Sequence, residues 1–170
     1  MVTPSEVKKA SKKLENQNIK FRAFLKNRAD IDELDAHFLK LHNELFVPYD
    51  CGQCRNCCKE YNTSLGDDEI AAISQFLGQT KDDFINNYLR LNPMDGGYET
   101  KEKPCCFLTG GGQCRIQECR PNSCRDFPYT NQPERLFSLL GILGHAEVCP
   151  VVFEILERLK KIYHFRNRTY

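Results

Sequence analysis

Apolar residues return every three or four positions over two long stretches at the start of this chain. Val7, Ala10, Leu14, Phe21, Phe24 and Leu25 fall mostly on one helical face, and Ile31, Leu34, Phe38, Leu41 and Leu45 trace another. Each stretch opens on a capping pattern. Thr3 precedes Pro4, with Glu6 three residues on, and Asp30 is followed by Glu33. Pro48 stops the second stretch, because the residue before a proline is pushed out of helical geometry. The polar run Asn16, Gln17 and Asn18 is where the first stretch is expected to break or bend. The two segments predict an N-terminal helical hairpin over residues 1–47. Its expected role is to cover the remaining domain, 48–170, or to pair with a second copy.

Farther along, GDDEIAAISQFLG predicts a short helix with an acidic first turn and Gly78 past its end. TKDDFINNYLRL predicts another, capped by Thr80, and NPMDGGYE reads as a turn-rich loop. CCFLTGGGQCRI places two apolar runs around a glycine turn. That predicts a short β-hairpin with Cys105 or Cys106 on one arm and Cys114 on the other. ECRPNSCRDFPYTNQP, with three prolines, is expected to be irregular. PERLFSLLGILGHA and PVVFEILERLKKIYHF predict two closing helices around Cys149 and Pro150. There is no internal repeat. The fold expected is mainly α: a small, cysteine-rich, metal-organised domain with a short β-hairpin and an N-terminal helical hairpin.

Composition changes this picture in one respect. A chain of 170 residues can bury a core without covalent staples, yet it carries ten cysteines. The N-terminal segment has no apolar core of a secretory signal, and the longest nearly apolar run, LFSLLGILGHA, is too short to cross a membrane. A cytoplasmic protein with no membrane contact is expected, and in a reducing compartment dense cysteines bind metal or do redox work. The net charge is +1, with eight Lys/Arg against two Glu in residues 1–28. These lysines read as solvated helix faces rather than a nucleic-acid surface, because the only aromatics among them, Phe21 and Phe24, sit at core spacing. A mitochondrial presequence would be rich in Arg where this segment is rich in Lys.

The cysteines fall into three places: 51, 54, 57 and 58; then 105, 106, 114, 119 and 124; then 149. The first group gives C-x2-C twice in overlapping form. Such a turn lets two thiolates converge on one ion and points backbone N–H groups at the sulfurs. Zinc takes four such ligands in a tetrahedron, and an iron–sulfur cubane also takes four thiolates. Cys51, Cys54 and Cys57, with Cys149 next to Pro150 as a remote ligand, partly match the ferredoxin run. Adjacent Cys57 and Cys58 can serve two centres. A thioredoxin-like dithiol lacks its expected βαβ context here. The lack of histidine near the first two groups leans towards iron–sulfur over zinc. His145 is read as a helix-end residue, not a ligand, and His37, His42 and His164 as members of helical segments. TGGGQ is a turn and not a phosphate loop, since no Gly-Lys-Ser/Thr follows it.

CGQCRNCC, then CCFLTGGGQCRIQECRPNSCRDFP, then Cys149, resembles the CxxCxxCC proteins, also called YkgJ-like cysteine-cluster or zinc/iron-chelating proteins. Cys105, Cys114 and Cys124 fall on the three cysteines of their second motif, and Arg120 with Pro121, Arg125, and Phe127 with Pro128 match its flanks. The resemblance covers roughly residues 49–150. It implies eight metal-ligand cysteines: Cys51, Cys54, Cys57, Cys58, Cys105, Cys114, Cys124 and Cys149. Cys106 stands where the family has proline, Cys119 takes a variable position and Gln117 replaces a tyrosine. The two extra thiols are candidates for exchange ligands, and Cys106 can compete with Cys105. Arg120 and Arg125 are expected to donate hydrogen bonds near the sulfurs or hold an anion, or else to pair with acidic residues.

These readings point to a metal-binding protein with an iron–sulfur cluster, expected to be [4Fe-4S], and thiols enough for a second centre. Its role would be of redox or cofactor type, with a redox or other protein partner. The alternative is a non-enzymatic module that zinc stabilises for protein interaction. The resemblance extends to flagellin lysine N-methylases, but no glycine-rich nucleotide-binding strand–turn–helix is present in this short chain. No catalytic residue is assigned.

Overall fold

The computed structural model describes residues 1–94 and 96–166. Its chain forms two compact units: Met1–Asp50 with the chain from Pro128 onward, and Cys51–Phe127 between them.

The first unit is built from helices α1 (Val7–Lys13), α2 (Glu15–Arg28), α3 (Ile31–Leu45), α9 (Arg135–His145) and α10 (Pro150–Ile162). The Thr3 hydroxyl and N–H both donate to the Glu6 carboxylate, at 2.6 and 3.2 Å, which closes the opening turn. These two bonds hold the Glu6 carboxyl below the usual carboxylate range. The break between α1 and α2 falls at Leu14, and Asn16, Gln17 and Asn18 are helical. Asp30 caps α3 by accepting from the Glu33 N–H at 3.0 Å.

The core of this unit takes Val7, Phe21 and Leu25 from the first two helices and Leu34, Phe38, Leu41 and Leu45 from α3. Ile31 is exposed because the first turn of α3 lies at its edge. The helix α10 is the most deeply seated, with Val151, Val152, Phe153, Ile155, Leu156 and Leu159 all buried. It packs against α3 and α9. His42 is buried and its Nδ1 lies 2.8 Å from the Thr130 hydroxyl. Arg135 is also buried, and its guanidinium donates to the carbonyls of Tyr129 and Pro133.

The second unit holds α4 (Cys51–Cys54), α5 (Asn56–Glu60), α6 (Asp67–Phe76), α7 (Lys81–Tyr88) and α8 (Asn122–Arg125). It also holds strands β1 (Ser64–Leu65), β2 (Leu89–Leu91) and β3 (Tyr98–Thr100), antiparallel in the order β1-β3-β2. Thr80 caps α7 as expected, and Gly78 ends the preceding helix at φ 67°.

Two local expectations change. The segment LRL leaves the helix and becomes β2, whose Arg90 pairs with Glu99 across the sheet at 2.7 Å. At residues 105–114 the expected β-hairpin shrinks to one antiparallel bridge between Leu108 and Cys114, because the tight Thr109–Gly112 turn is followed by a 3-10 turn at Gln117–Cys119. A regular hairpin does form, between β2 and β3. The core of this unit is Leu65, Ile70, Ile73, Phe84, Leu89, Phe107 and Ile116, with the Phe84 and Phe107 rings stacked 6.1 Å apart. Taken over both units, the described residues are mainly helical with one small antiparallel sheet, as the apolar pattern of the sequence implies.

Candidate metal centre

The first cysteine group rides on two short helical turns. Cys51 and Cys54 open and close α4, and the chain then reverses at Arg55, a non-glycine residue at φ 50°. Local bonds hold that conformation: the Arg55 N–H donates to the Cys51 carbonyl at 3.1 Å and its Nε to the Gly52 carbonyl at 3.0 Å. The next turn, α5, carries Cys57 and Cys58 side by side.

The second group is joined to the first by the backbone. The Cys105 N–H donates to the Cys58 carbonyl at 2.8 Å. Cys114 follows from the Leu108 bridge, which the Arg115 N–H to Phe107 carbonyl bond (2.8 Å) extends. Cys124 sits in α8. That short helix is tied down at two points: the Asn122 N–H donates to Glu69 Oε1 at 2.6 Å, and the Ser123 hydroxyl to the Ser64 carbonyl at 2.8 Å. The other oxygen of Glu69 accepts from the Gly66 N–H at 2.9 Å. One carboxylate therefore fixes both the start of α6 and the start of α8.

Electrostatics mark out four of these thiols as a set. Cys58 is pushed down to about 6, first by the hydrogen bond from the neighbouring Cys57 thiol, against the effect of burial, and further by the Arg55 and Arg120 guanidinium charges. Cys105 is raised by the Cys106 thiol and by burial, and also by the negative charge of Cys58. Burial raises Cys114 and Cys124, and each also feels Cys58 and Cys105 as like charges and Arg120 as an opposite one. Cys58 and Cys105 thus lie within electrostatic reach of each other and of Cys114 and Cys124, from four separate segments. As thiolates they repel, and a cation among them relieves that repulsion.

The remaining cysteines divide. Cys106 is lowered by the Cys105 thiol, and Cys119 is raised by burial and by Cys114. Both, with Cys105 and Cys114, pack against the apolar core of the second unit. Cys149 belongs to the first unit, buried at the start of α10, where its N–H donates to the His145 carbonyl at 2.8 Å. Burial lowers His145 below the usual histidine value. All ten thiols are free of disulfide bonds. Among the described residues, no group of three or more His, Cys, Asp or Glu side chains is already arranged as a metal shell. The donor chemistry fits a thiophilic metal, and closing a shell around it requires the thiols to turn towards a common point.

The two flanking arginines are not equivalent. Arg120 donates to the Cys124 carbonyl at 2.9 Å and its charge reaches three of the four thiols. Arg125 is engaged with the side chain of Asn122. Two contributors escaped the sequence reading. Arg55 had a usable signal, lying between the paired cysteines. Thr63, whose hydroxyl is 3.4 Å from the Cys124 sulfur, had none, because its neighbour is distant in sequence.

Clustered thiols with arginine and hydroxyl neighbours mark a cysteine-rich domain of the metal-binding class. Residues 50–150 match the family model CxxCxxCC, described as "Putative zinc- or iron-chelating domain", and the chain belongs to that family. Neither the curated proteins nor the solved structures compared with it gave a match. Among the described residues, no helix is long and apolar enough to cross a membrane.

Proposed function

We propose that the second unit holds a thiolate-ligated metal centre through Cys58, Cys105, Cys114 and Cys124, and that the group it takes is a [4Fe-4S] cluster in a redox or cofactor-type role. The observation that carries this reading is the Cys105 N–H to Cys58 carbonyl bond, which joins the two cysteine groups and brings these four thiols into one electrostatic neighbourhood. The set contains no imidazole, which favours iron–sulfur chemistry over mixed zinc ligation. When bound, such a cluster supplies one-electron transfer. The chain's own part is to hold the thiols and bring positive charge to them. Arg120 and Arg55 stabilise Cys58 as thiolate, and the Thr63 hydroxyl lies where it can donate to Cys124. Cys51, Cys54 and Cys57 are left for a second centre, and Cys149 enters the ligand set by its place beside Pro150 in the sequence and by family resemblance.

A zinc centre that stabilises a protein-interaction module is the second reading. What favours it is the packing of Cys105, Cys106, Cys114 and Cys119 against the core, a setting suited to a closed structural site. Anaerobic purification followed by iron, sulfide and zinc analysis and a visible spectrum separates the two. A brown protein with about four irons and four sulfides per centre supports the cluster. Zinc without sulfide moves the assignment to the structural module. Undiminished metal in Cys58→Ser removes the proposed ligand set altogether.

A further inference from the structure

The helix α9 is apolar on two sides. Leu139 and Ile142 enter the core, but Phe137 and Leu140 are each 67% exposed, and Ile19 on the neighbouring α2 is 52% exposed. Leu140 and Ile19 border the same groove between the two helices. Gly141 and Gly144 continue the outer face of α9, because positions three and four apart fall together on a helix. Both glycines are exposed, and a Cβ at either would meet nothing within 4 Å. Glycine weakens a helix interior, and among the described residues no close neighbour accounts for either one. The face is therefore bulky in its first half and flat in its second.

A bulky half followed by a flat half is complementary to its own reverse. We propose that this face pairs with a second copy of the chain, through antiparallel α9 helices and a two-fold axis between residues 140 and 141. Phe137 then meets the second copy's Gly144, Leu140 meets its Gly141, and symmetry repeats both contacts. The charges agree with that direction. Glu15, Ile19, Arg22 and Lys26 follow one stripe of α2 at four- and three-residue steps. This helix runs antiparallel to α9. Glu15 borders the groove with Gly144 and Glu147, while Asp35, beyond the end of α2, accepts from the Glu134 and Arg135 N–H groups at the start of α9. One end of the face thus carries Glu15 and Glu147, and the other carries Arg22 and Lys26 against the single carboxylate of Glu134. The two-fold sets the acidic end of each copy on the basic end of the other, whereas a parallel pair would set like on like.

Area fixes the strength of the pairing. From their exposure, Phe137, Leu140 and Ile19 leave on the order of 300 Å² of side chain in water, the size of a functional apolar patch. With an apolar share of about 60%, each copy buries about 500 Å² and the pair about 1,000 Å². That is the lower edge for a specific interface, so the dimer is weak and reversible.

Sedimentation equilibrium of the metal-loaded full chain, from about 1 to 300 µM, tests this, with a monomer–dimer Kd of about 10–100 µM expected. Gly141→Gln puts bulk where the second copy closes in and should raise Kd at least about tenfold. Its side chain enters open space in the monomer, so the urea midpoint of the monomer should stay or rise. Leu140→Ser, at an exposed position, should weaken pairing to a similar degree. Glu15→Lys with Glu147→Lys makes both ends of the face positive and should raise Kd about tenfold at low salt, with the difference fading as salt is added. A chain that stays monomeric throughout overturns the proposal, and if that monomer sediments with phosphatidylcholine–phosphatidylserine vesicles the face belongs to a lipid surface instead. Growth beyond the dimer, a dimer indifferent to Gly141→Gln and Leu140→Ser, or one unmoved by the charge variant overturns it equally.

Discussion

Replacing Glu69 with alanine separates the scaffold of the thiol centre from its ligands. Glu69 touches no cysteine. Its carboxylate accepts from the Gly66 N–H at 2.9 Å and the Asn122 N–H at 2.6 Å, so it caps α6 and anchors the helix that carries Cys124. Hydrogen bonds to a charged acceptor contribute about 1.5–3 kcal/mol each, but partial exposure lets water replace part of that. Losing a capping interaction costs typically about 1 kcal/mol. Discounted for exposure, these place Glu69→Ala at about 2 kcal/mol of lost stability, below the undiscounted sum. Urea denaturation at fixed metal loading measures it, because bound metal itself shifts apparent stability by mass action. The Ser123 hydroxyl bond to Ser64 remains, so α8 should loosen without detaching, and a chelator should strip metal faster than from wild type. Glu69→Gln should recover less than half, since one of its two terminal atoms is a donor facing an N–H donor. Stability within about 0.5 kcal/mol of wild type, the range of an inert surface change, would refute the two-point anchor.

Other perturbations probe the rest of the molecule. Ile155→Ala, at a fully buried position of α10, should cost about 2–5 kcal/mol in the same denaturation assay, and a loss under about 1 kcal/mol would mean the helix is not seated as described. Asp30→Ala should remove the α3 cap and cost about 1 kcal/mol, while Asp30→Asn should largely preserve it, and equal effects of the two would count against capping as the cause. Burial lowers His42 below its unfolded value, so the unfolded chain binds more protons as pH falls below about 6.5. Its contribution to stability is therefore present above that pH and declines as pH drops towards the folded value. An NMR titration of the His42 ring should show a midpoint below about 6.5, and one at or above it would reverse the sign.

The parts of this fold that could be read from sequence are those whose causes are local. Asp30 caps α3 because the accepting oxygen and the donated N–H are three residues apart. The apolar faces of α3 and α10 are written in their spacing, with Ile31 and Ile162, at the helix ends, exposed. The sheet was illegible for the opposite reason. Its strands are two or three residues long, and what secures them is remote: the buried Thr100 hydroxyl accepts from the Thr63 N–H, and Asn62 donates to the Thr100 carbonyl. The cysteine motif disclosed the donor chemistry and not the grouping. Nothing in C-x2-C-x2-C-C says that the Cys58 carbonyl accepts from the Cys105 N–H, since that bond joins distant segments. Arg120 and Arg125 look alike in the motif, and their different bonds, Arg120 to the Cys124 carbonyl and Arg125 to Asn122, separate their surroundings.

The position of the thiols beside a core has a chemical consequence for how a metal enters. Burial raises Cys114 and Cys124, the Cys106 thiol and then burial raise Cys105, and Cys58 is lowered to about 6. Near pH 7.5 a metal-free chain therefore holds one thiolate and three protonated thiols among the four proposed ligands. A metal binds thiolates, so loading the centre must expel the three protons. Zinc titration in buffers of different ionisation enthalpy should then report about three protons released per ion at this centre, and apparent affinity should climb steeply as pH rises. The direction follows from the shifts: raising pH removes for free the protons that the metal must otherwise displace. The Cys58→Ser variant should still release close to three protons with any residual binding, because the ligand it lacks is the one already ionised. Release of one proton or none by wild type would mean that Cys105, Cys114 and Cys124 are not the ligands.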